Sequence, residues 1–235
     1  MHRDRWLSAL FAAVGMTGIL TLGGCLGADA WTSSFTVEPD ELTSTGRNLY
    51  FILEPGHELV LEGGGVQLIV TVLDETKQVD GIETRVVEER EIKGGRLLEV
   101  ARNYFAISRR TGDVFYFGEH VDMYKGGRVV NNNGSWLSGV DGDGFGLIMP
   151  GRVLLGARYY QEVAPKVAMD RAMIVSVDET VETPAGVFRN CLKVKETTPL
   201  EPFITEYKYY APGIGMVQDG SLKLVKTTFS KGGSR

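Results

Sequence analysis

The sequence predicts an all-β, mainly antiparallel protein: a curved sheet, half-barrel or barrel made of two internal repeats of about five strands with a long Gly-rich connection. Three observations lead to this prediction. Beyond residue 26, apolar and polar residues alternate over short stretches, and no window keeps a helical apolar period for three turns. Glycine-containing turns separate these stretches. Several landmarks of the first half recur in the same order in the second half.

Residues 1–24 are expected to be a signal peptide rather than part of the fold. A basic start precedes an uncharged apolar run that ends in Leu22-Gly23-Gly24-Cys25. This motif resembles the lipobox of bacterial lipoproteins, and the resemblance implies that Cys25 is lipidated after cleavage. The alternative is a single membrane-spanning helix, for which the apolar run is short.

Lipidation of Cys25 would fix the exported chain to a membrane, because each buried methylene contributes about 0.8 kcal/mol. Leu26 rather than Asp follows the cysteine. By resemblance to Gram-negative lipoproteins, this implies the periplasmic face of the outer membrane, or the outer face of the cytoplasmic membrane in a cell with one membrane. Residues 25–47 are rich in small, hydroxyl and acidic side chains and are expected to form a flexible tether, with 227–235 as a loose tail.

The β domain is expected to span residues 48–226, with one repeat at about 50–120 and the other at about 150–226. Residues 74–81 are expected to be a polar hairpin loop between two strands of the first repeat. The predicted strands with alternating or apolar character cover 66–73, 82–91, 97–107, 114–117, 173–177 and 187–195.

The duplication rests on landmarks separated by roughly 100 positions. The triplet Asp-Glu-Thr occurs at 74–76 and again at 178–180, and a closing glycine follows at Gly81 and at Gly186. An aromatic pair followed by Ala and a turn likewise occurs twice, and its second copy begins at Tyr209. Such a repeat gives the apolar face of each half a partner in one continuous sheet.

The connection at 124–151 differs from both halves, because it is rich in Gly and Asn. A loop of this length is usually functional or covers one end of a core. Asp141 and Asp143 have the spacing of two calcium ligands, but the EF-hand positions that follow are occupied by other residue types. They are therefore a weak metal candidate, and a glycine-rich turn stabilised by aspartate hydrogen bonds is the favoured interpretation.

Composition excludes several function classes. The net charge of −5 disfavours a general nucleic-acid binder, and two Cys with three His exclude a disulfide scaffold or a zinc cluster. No nucleophile elbow or nucleotide-binding glycine motif is present, and no cofactor is predicted. Cys191 is expected to be a small packing residue, and no spacing links His57 or His120 to a carboxylate pair.

Aromatic residues form the remaining candidate site. Their simplest interpretation is core packing and cross-strand pairing. The alternative is an apolar pocket inside the curved sheet that holds an acyl chain or another hydrophobic ligand. The candidate ligand-binding residues are Tyr104, Phe115, Phe117, Trp136 and Tyr209.

The run YYAPGIGMV at 209–217 and shorter motifs at 117–119, 135–142 and 198–201 resemble an uncharacterised family of exported bacterial proteins, many of them lipoproteins. The resemblance covers about residues 48–225 and implies a β-rich half-barrel, distantly similar to envelope lipoprotein carriers, with no established activity. The expected function is non-enzymatic binding of a hydrophobic molecule or an envelope protein at the membrane. An envelope hydrolase acting on glycosides or esters, and a purely structural or assembly lipoprotein, remain as alternatives.

Overall fold

The computed structural model describes residues 30–228, which form an antiparallel all-β fold, as the sequence predicts. A short 3-10 helix, Pro39–Glu41, precedes the first strand. The strands in chain order are β1 (Leu42–Thr43), β2 (Gly46–Arg47), β3 (Ile52–Leu53), β4 (Glu58–Gly63), β5 (Val66–Val79), β6 (Ile82–Lys93), β7 (Arg96–Ser108), β8 (Val114–Lys125), β9 (Arg128–Asn131), β10 (Trp136–Leu137), β11 (Gly144–Met149), β12 (Arg158–Tyr160), β13 (Glu162–Val163), β14 (Arg171–Thr183), β15 (Gly186–Thr198), β16 (Glu201–Ala211), β17 (Gly215–Asp219) and β18 (Leu222–Thr227).

One large sheet contains all of these strands except β2 and β3, which pair with each other. Its order is β12-β14-β15-β16-β17-β18-β4-β5-β6-β7-β8-β11-β13, with β1, β9 and β10 paired to its members outside this path. The order consists of two meanders of consecutive antiparallel strands, joined where β18 pairs with β4. Strands β4 to β8 of one meander lie in the first predicted half, and the strands of the other meander lie in the second. The first meander is extended by β11 from the connection and by β13 from the second half.

A single stretch of chain nearly closes the sheet into a barrel. Residues Arg158 to Tyr160 pair with β14 at one end of the sheet, and Glu162 and Val163 pair with β11 at the other end. Gln161 lies between the two pairings. Near-closure removes the exposed edges that an open sheet would present.

The two Asp-Glu-Thr triplets lie within long strands and not in the turns, which corrects the predicted loop at 74–81. The first triplet is in β5 and the second is in β14, and each coincides with a shift of register against the following strand. A bulge of this kind accommodates extra residues without ending the strand. The chain reverses direction later, at Asp80-Gly81 and at Pro184-Ala185.

The segment 30–47 packs on the sheet, in contrast to the flexible tether that its composition suggests. Leu42 is buried and pairs with Ser108 of β7, and the ring of Phe35 lies 6.1 Å from that of Phe115. Isolated apolar residues therefore fix a stretch whose average composition is polar. Residues 1–29 and 229–235, which include Leu22, Gly23, Gly24 and Cys25, lie outside the described residues.

The connection at 124–151 is also more ordered than a loop. It contains β9 and β10, which both pair with β8, and β11, which joins the main sheet. The part of the chain that the structure describes holds no helix that is long and apolar enough to cross a membrane.

Candidate functional site

A cavity of about 100 Å³ lies inside the nearly closed sheet, between the two halves. Strands β5, β6 and β7 line it from the first half, and β16 and β17 line it from the second half. The segment before β4 contributes Tyr50, Phe51 and Ile52. Its walls are mostly apolar and include Val70, Val72, Val87, Phe105, Ile148 and Met216.

Register determines which side chains reach this interior, because directly paired residues project on the same face of a sheet. Val70 pairs with Glu89 and Val72 with Val87, so these four share the inner face. In the second half, Lys208 of β16 pairs with Asp219 of β17. The cavity consequently has apolar walls and a polar end made of Glu89, Lys208 and Asp219.

The polar end is organised around the partly buried ammonium of Lys208. Its Nζ atom lies 2.9 Å from Oε2 of Glu196 and 4.0 Å from Oδ2 of Asp219. The nearby carboxylates raise the pKa of Lys208 against the opposing effect of burial, so the group stays protonated. Removing Lys208 would leave the buried carboxyl groups of Glu196 and Asp219 without this cation.

Asp219 is the carboxyl that this arrangement leaves incompletely satisfied. Its side chain is 3% exposed, and its Oδ1 atom has no hydrogen-bond partner among the described residues. Burial raises the pKa of Asp219 to about 7, although Lys208 acts in the opposite direction. A buried acceptor without a donor is costly, and it indicates a place where water or a ligand supplies the missing hydrogen bond.

Further carboxyl groups extend across the interior from this end. Burial raises the pKa of Glu99 to about 7 and that of Glu119 to about 8, and neighbouring acidic groups add to both shifts. Burial also raises the pKa of Glu89. The interior therefore contains many acids that take up protons more readily than acids in water do.

A second depression, a cleft of about 500 Å³, lies where the connection meets β7 and β8. Tyr104, Trp136, Asp141 and Asp143 all line it, so the structure brings together two of the predicted aromatic residues and both aspartates. The Trp136 indole Nε1 atom is buried and has no hydrogen-bond acceptor among the described residues.

The other three predicted aromatic residues do not join this cleft. Phe115 and Phe117 are buried in the core, with ring centroids 5.8 Å and 4.9 Å from that of Phe145. Tyr209 lies on the outer face of β16, because it pairs with Lys193, whose ammonium lies over its ring. Its neighbour Tyr210 lines the interior cavity instead.

Asp141 and Asp143 lie in a turn that backbone hydrogen bonds hold together. The backbone N–H of Asp143 donates to the carbonyl of Val140, and the N–H of Gly139 donates to the carbonyl of Asp143. Asp141 has a φ of 53°, which Asp adopts more readily than most residues. Among residues 30–228, no group of three His, Cys, Asp or Glu side chains is arranged to hold a metal ion.

His57, His120 and Cys191 have separate environments. His57 is buried at the interior cavity, with Nε2 3.0 Å from the carbonyl oxygen of Ile214. His120 is partly exposed, with Nε2 3.3 Å from Oδ1 of Asp122. Cys191 is fully buried in an apolar cluster, consistent with the predicted packing role.

Sequence reasoning missed Glu89, Lys208 and Asp219, the polar residues of the interior cavity. Charged residues in alternating strands look like the solvated face of a sheet. Strand alternation places Glu88 and Glu89 on opposite faces of β6. Glu88 forms ion pairs with the exposed side chains of Arg90 and Arg102, which shows that the face of Glu88 is the external one. These ion pairs identify the inward-facing residue only when the register between neighbouring strands is known.

In comparisons with known proteins, no family model, no curated protein and no solved structure matches the chain.

Proposed function

We propose that this protein is a membrane-tethered binding protein of the bacterial cell envelope that holds a small hydrophobic molecule in its interior cavity. The observation that carries the proposal is a mostly apolar, partly open cavity between the two halves of one sheet, with a few polar groups at one end. Apolar walls with a small number of placed polar groups are typical of ligand sites.

The size of the cavity restricts the ligand. Apolar cavities of roughly 150 Å³ in proteins take up benzene-sized molecules. The cavity of about 100 Å³ is smaller than this, so a single ring or a short alkyl chain is the upper limit on the size of its ligand. A complete acyl chain would require the sheet or the segment at Tyr50 to Ile52 to move.

The membrane part of the proposal rests on the lipobox at Leu22 to Cys25. A lipidated Cys25 would keep the binding domain at a membrane surface, where hydrophobic molecules are concentrated. The short chain between Cys25 and the first packed residue, Trp31, would hold the domain close to that surface.

Titration of the purified protein with toluene and 1-hexanol tests the proposal. Methyl NMR signals of Val70, Val72 and Val87 should shift in a saturable manner, because these side chains line the cavity. Native mass spectrometry of protein extracted from membranes should show a small bound molecule.

A filled cavity provides the decisive variant. Val87→Phe places a ring in the cavity wall and should weaken toluene binding by tenfold or more, on the order of the cost of overpacking. Val187→Phe introduces the same side chain at an exposed position and should bind as the parent protein does. Absence of saturable binding by the parent protein, or equal binding by Val87→Phe, would contradict an interior site.

A further inference from the structure

The polar end of the interior cavity offers a ligand one unused acceptor. Asp219 lines the cavity, its side chain is almost completely buried, and its Oδ1 atom has no donor among the described residues. Leu222, which pairs with Asp219 on the side of β18, provides no polar side chain. A group that fills this position must donate a hydrogen bond to a carboxylate oxygen.

Among the residues that the structure describes, the one ammonium that lines the cavity is already engaged. Lys208 lies 2.9 Å from Oε2 of Glu196, and its contact with Asp219 is the longer one and reaches the other oxygen, Oδ2. An anionic head group would have to compete with Glu196 for Lys208. It would also face the carboxyl groups of Glu89 and Asp219 in the same cavity.

The charges around Asp219 favour a cation. Four carboxyl groups and one ammonium act on this region: Glu89 of β6, Glu196 of β15, Glu206 and Lys208 of β16, and Asp219 itself. Ionisation of even two of these acids beyond the Lys208–Glu196 pair gives the region a negative potential, which a low-dielectric interior strengthens.

We infer that the ligand of the interior cavity is a small amine, whose protonated nitrogen donates to Oδ1 of Asp219 and whose short alkyl or aryl body lies against Val70, Val87 and Phe105. The inference rests on the proposed function and specifies its ligand class. In this arrangement the apolar walls contact the alkyl or aryl part of the ligand, and the unused oxygen of Asp219 accepts a hydrogen bond from its amine.

Three probes with the same six-carbon chain and different polar groups distinguish the contribution of the polar group from that of the apolar chain. They are hexylamine, 1-hexanol and hexanoate, each titrated at pH 8 by calorimetry. Asp219 is largely ionised at this pH, because its pKa is about 7. Hexylammonium should bind about tenfold more tightly than 1-hexanol, since hydrogen bonds to charged groups are the stronger ones. Hexanoate should bind most weakly.

Asp219→Asn tests the assigned acceptor. It should reduce the preference for hexylammonium over 1-hexanol to about twofold or less, because a neutral amide loses the charge-assisted bond. Asp178→Asn makes the same change at an exposed position and should keep the tenfold preference.

A measurement on the unmodified protein covers the case in which Asp219→Asn does not fold. The affinity for hexylamine should fall as the pH decreases from 8 to 6, while the affinity for 1-hexanol stays constant, since protonation of Asp219 removes the acceptor charge.

The outcomes distinguish the two proposals. Equal binding of hexylamine and 1-hexanol, or tightest binding of hexanoate, overturns the amine inference and leaves the hydrophobic site intact. Failure of all three probes and of toluene to bind overturns both, and the cavity then holds only water.

Discussion

Asp219 shows how one residue links the interior to pH. Its pKa of about 7 lies above the usual value of an aspartate in an unfolded chain, near 4. Between these values the folded protein holds a proton that the unfolded chain has lost. The free energy of unfolding should therefore decrease as the pH rises from about 4 to about 7, by up to a few kcal/mol at about 1.4 kcal/mol for each pKa unit.

Replacement by Asn removes this contribution. In denaturant titrations, Asp219→Asn should gain stability relative to the parent protein on going from pH 5 to pH 8, while the exposed Asp178→Asn should run parallel to the parent at both values. Burial also raises the pKa values of Glu99 and Glu119. Some dependence of the free energy of unfolding on pH should therefore remain in every variant. A slope that Asp219→Asn leaves unchanged would show that Asp219 is ionised in the folded protein throughout this range.

At the level of elements, two backbones come close together at the seam where β11 meets the stretch 158–163. A side chain at Gly146 would overlap the backbone of Gln161 and Glu162, whereas one at Gly144 would meet only Val163, at 3.9 Å. Both glycines belong to the same strand and the same face. The seam thus depends on a small residue at one position and not at the other.

Gly146→Ala should therefore lower the free energy of unfolding by about 1–3 kcal/mol, as overpacking usually does, and should speed amide hydrogen exchange at 158–163. Gly144→Ala is the matched control and should be neutral or slightly stabilising. Equal effects of the two substitutions would mean that the sheet does not close at this seam. Denaturant titration and exchange mass spectrometry give the two readouts.

At the scale of the whole molecule, the proposed anchor decides where the barrel-like domain works. Cys25→Ser should release the protein from the membrane fraction of the producing cell and remove the mass of the acyl chains, because buried methylenes provide the attachment. Cys191→Ala keeps Cys25 and should leave both the fractionation and the added mass unchanged. Retention of Cys25→Ser in the membrane fraction, with residues 1–24 still attached, would instead support the single membrane-spanning helix.

Local patterns predicted the class of fold and its doubled strand order. Val66 to Leu73 and its counterparts alternate as strands do, and the repeated landmarks lie at equivalent places in the two meanders. The same patterns misplaced the Asp-Glu-Thr triplets, since polar residues at a bulge resemble those of a turn. They also gave no sign that two single apolar residues of a polar stretch pack on the sheet, Leu42 buried and Phe35 partly buried.

The candidate site was only partly accessible to such reasoning. Tyr104 and Trp136 do lie together, but on the outer cleft, while Tyr209 faces away from the interior that Tyr210 lines. Adjacent residues of a regular strand project on opposite faces, and the register of β16 against β17 shifts between these two tyrosines. Composition alone gave no means of deciding which of the two points inward.

The sequence by itself determined an antiparallel all-β chain with a doubled strand order, because alternation and turn residues act over a few neighbouring positions. Only the tertiary structure decided that Glu89, Lys208 and Asp219 share one interior and that residues 158–163 nearly close it. Those outcomes depend on strand register and bulges, which arise from pairings between residues far apart in the chain. A shift of one residue in any of these pairings would turn the same charged side chains outward to solvent.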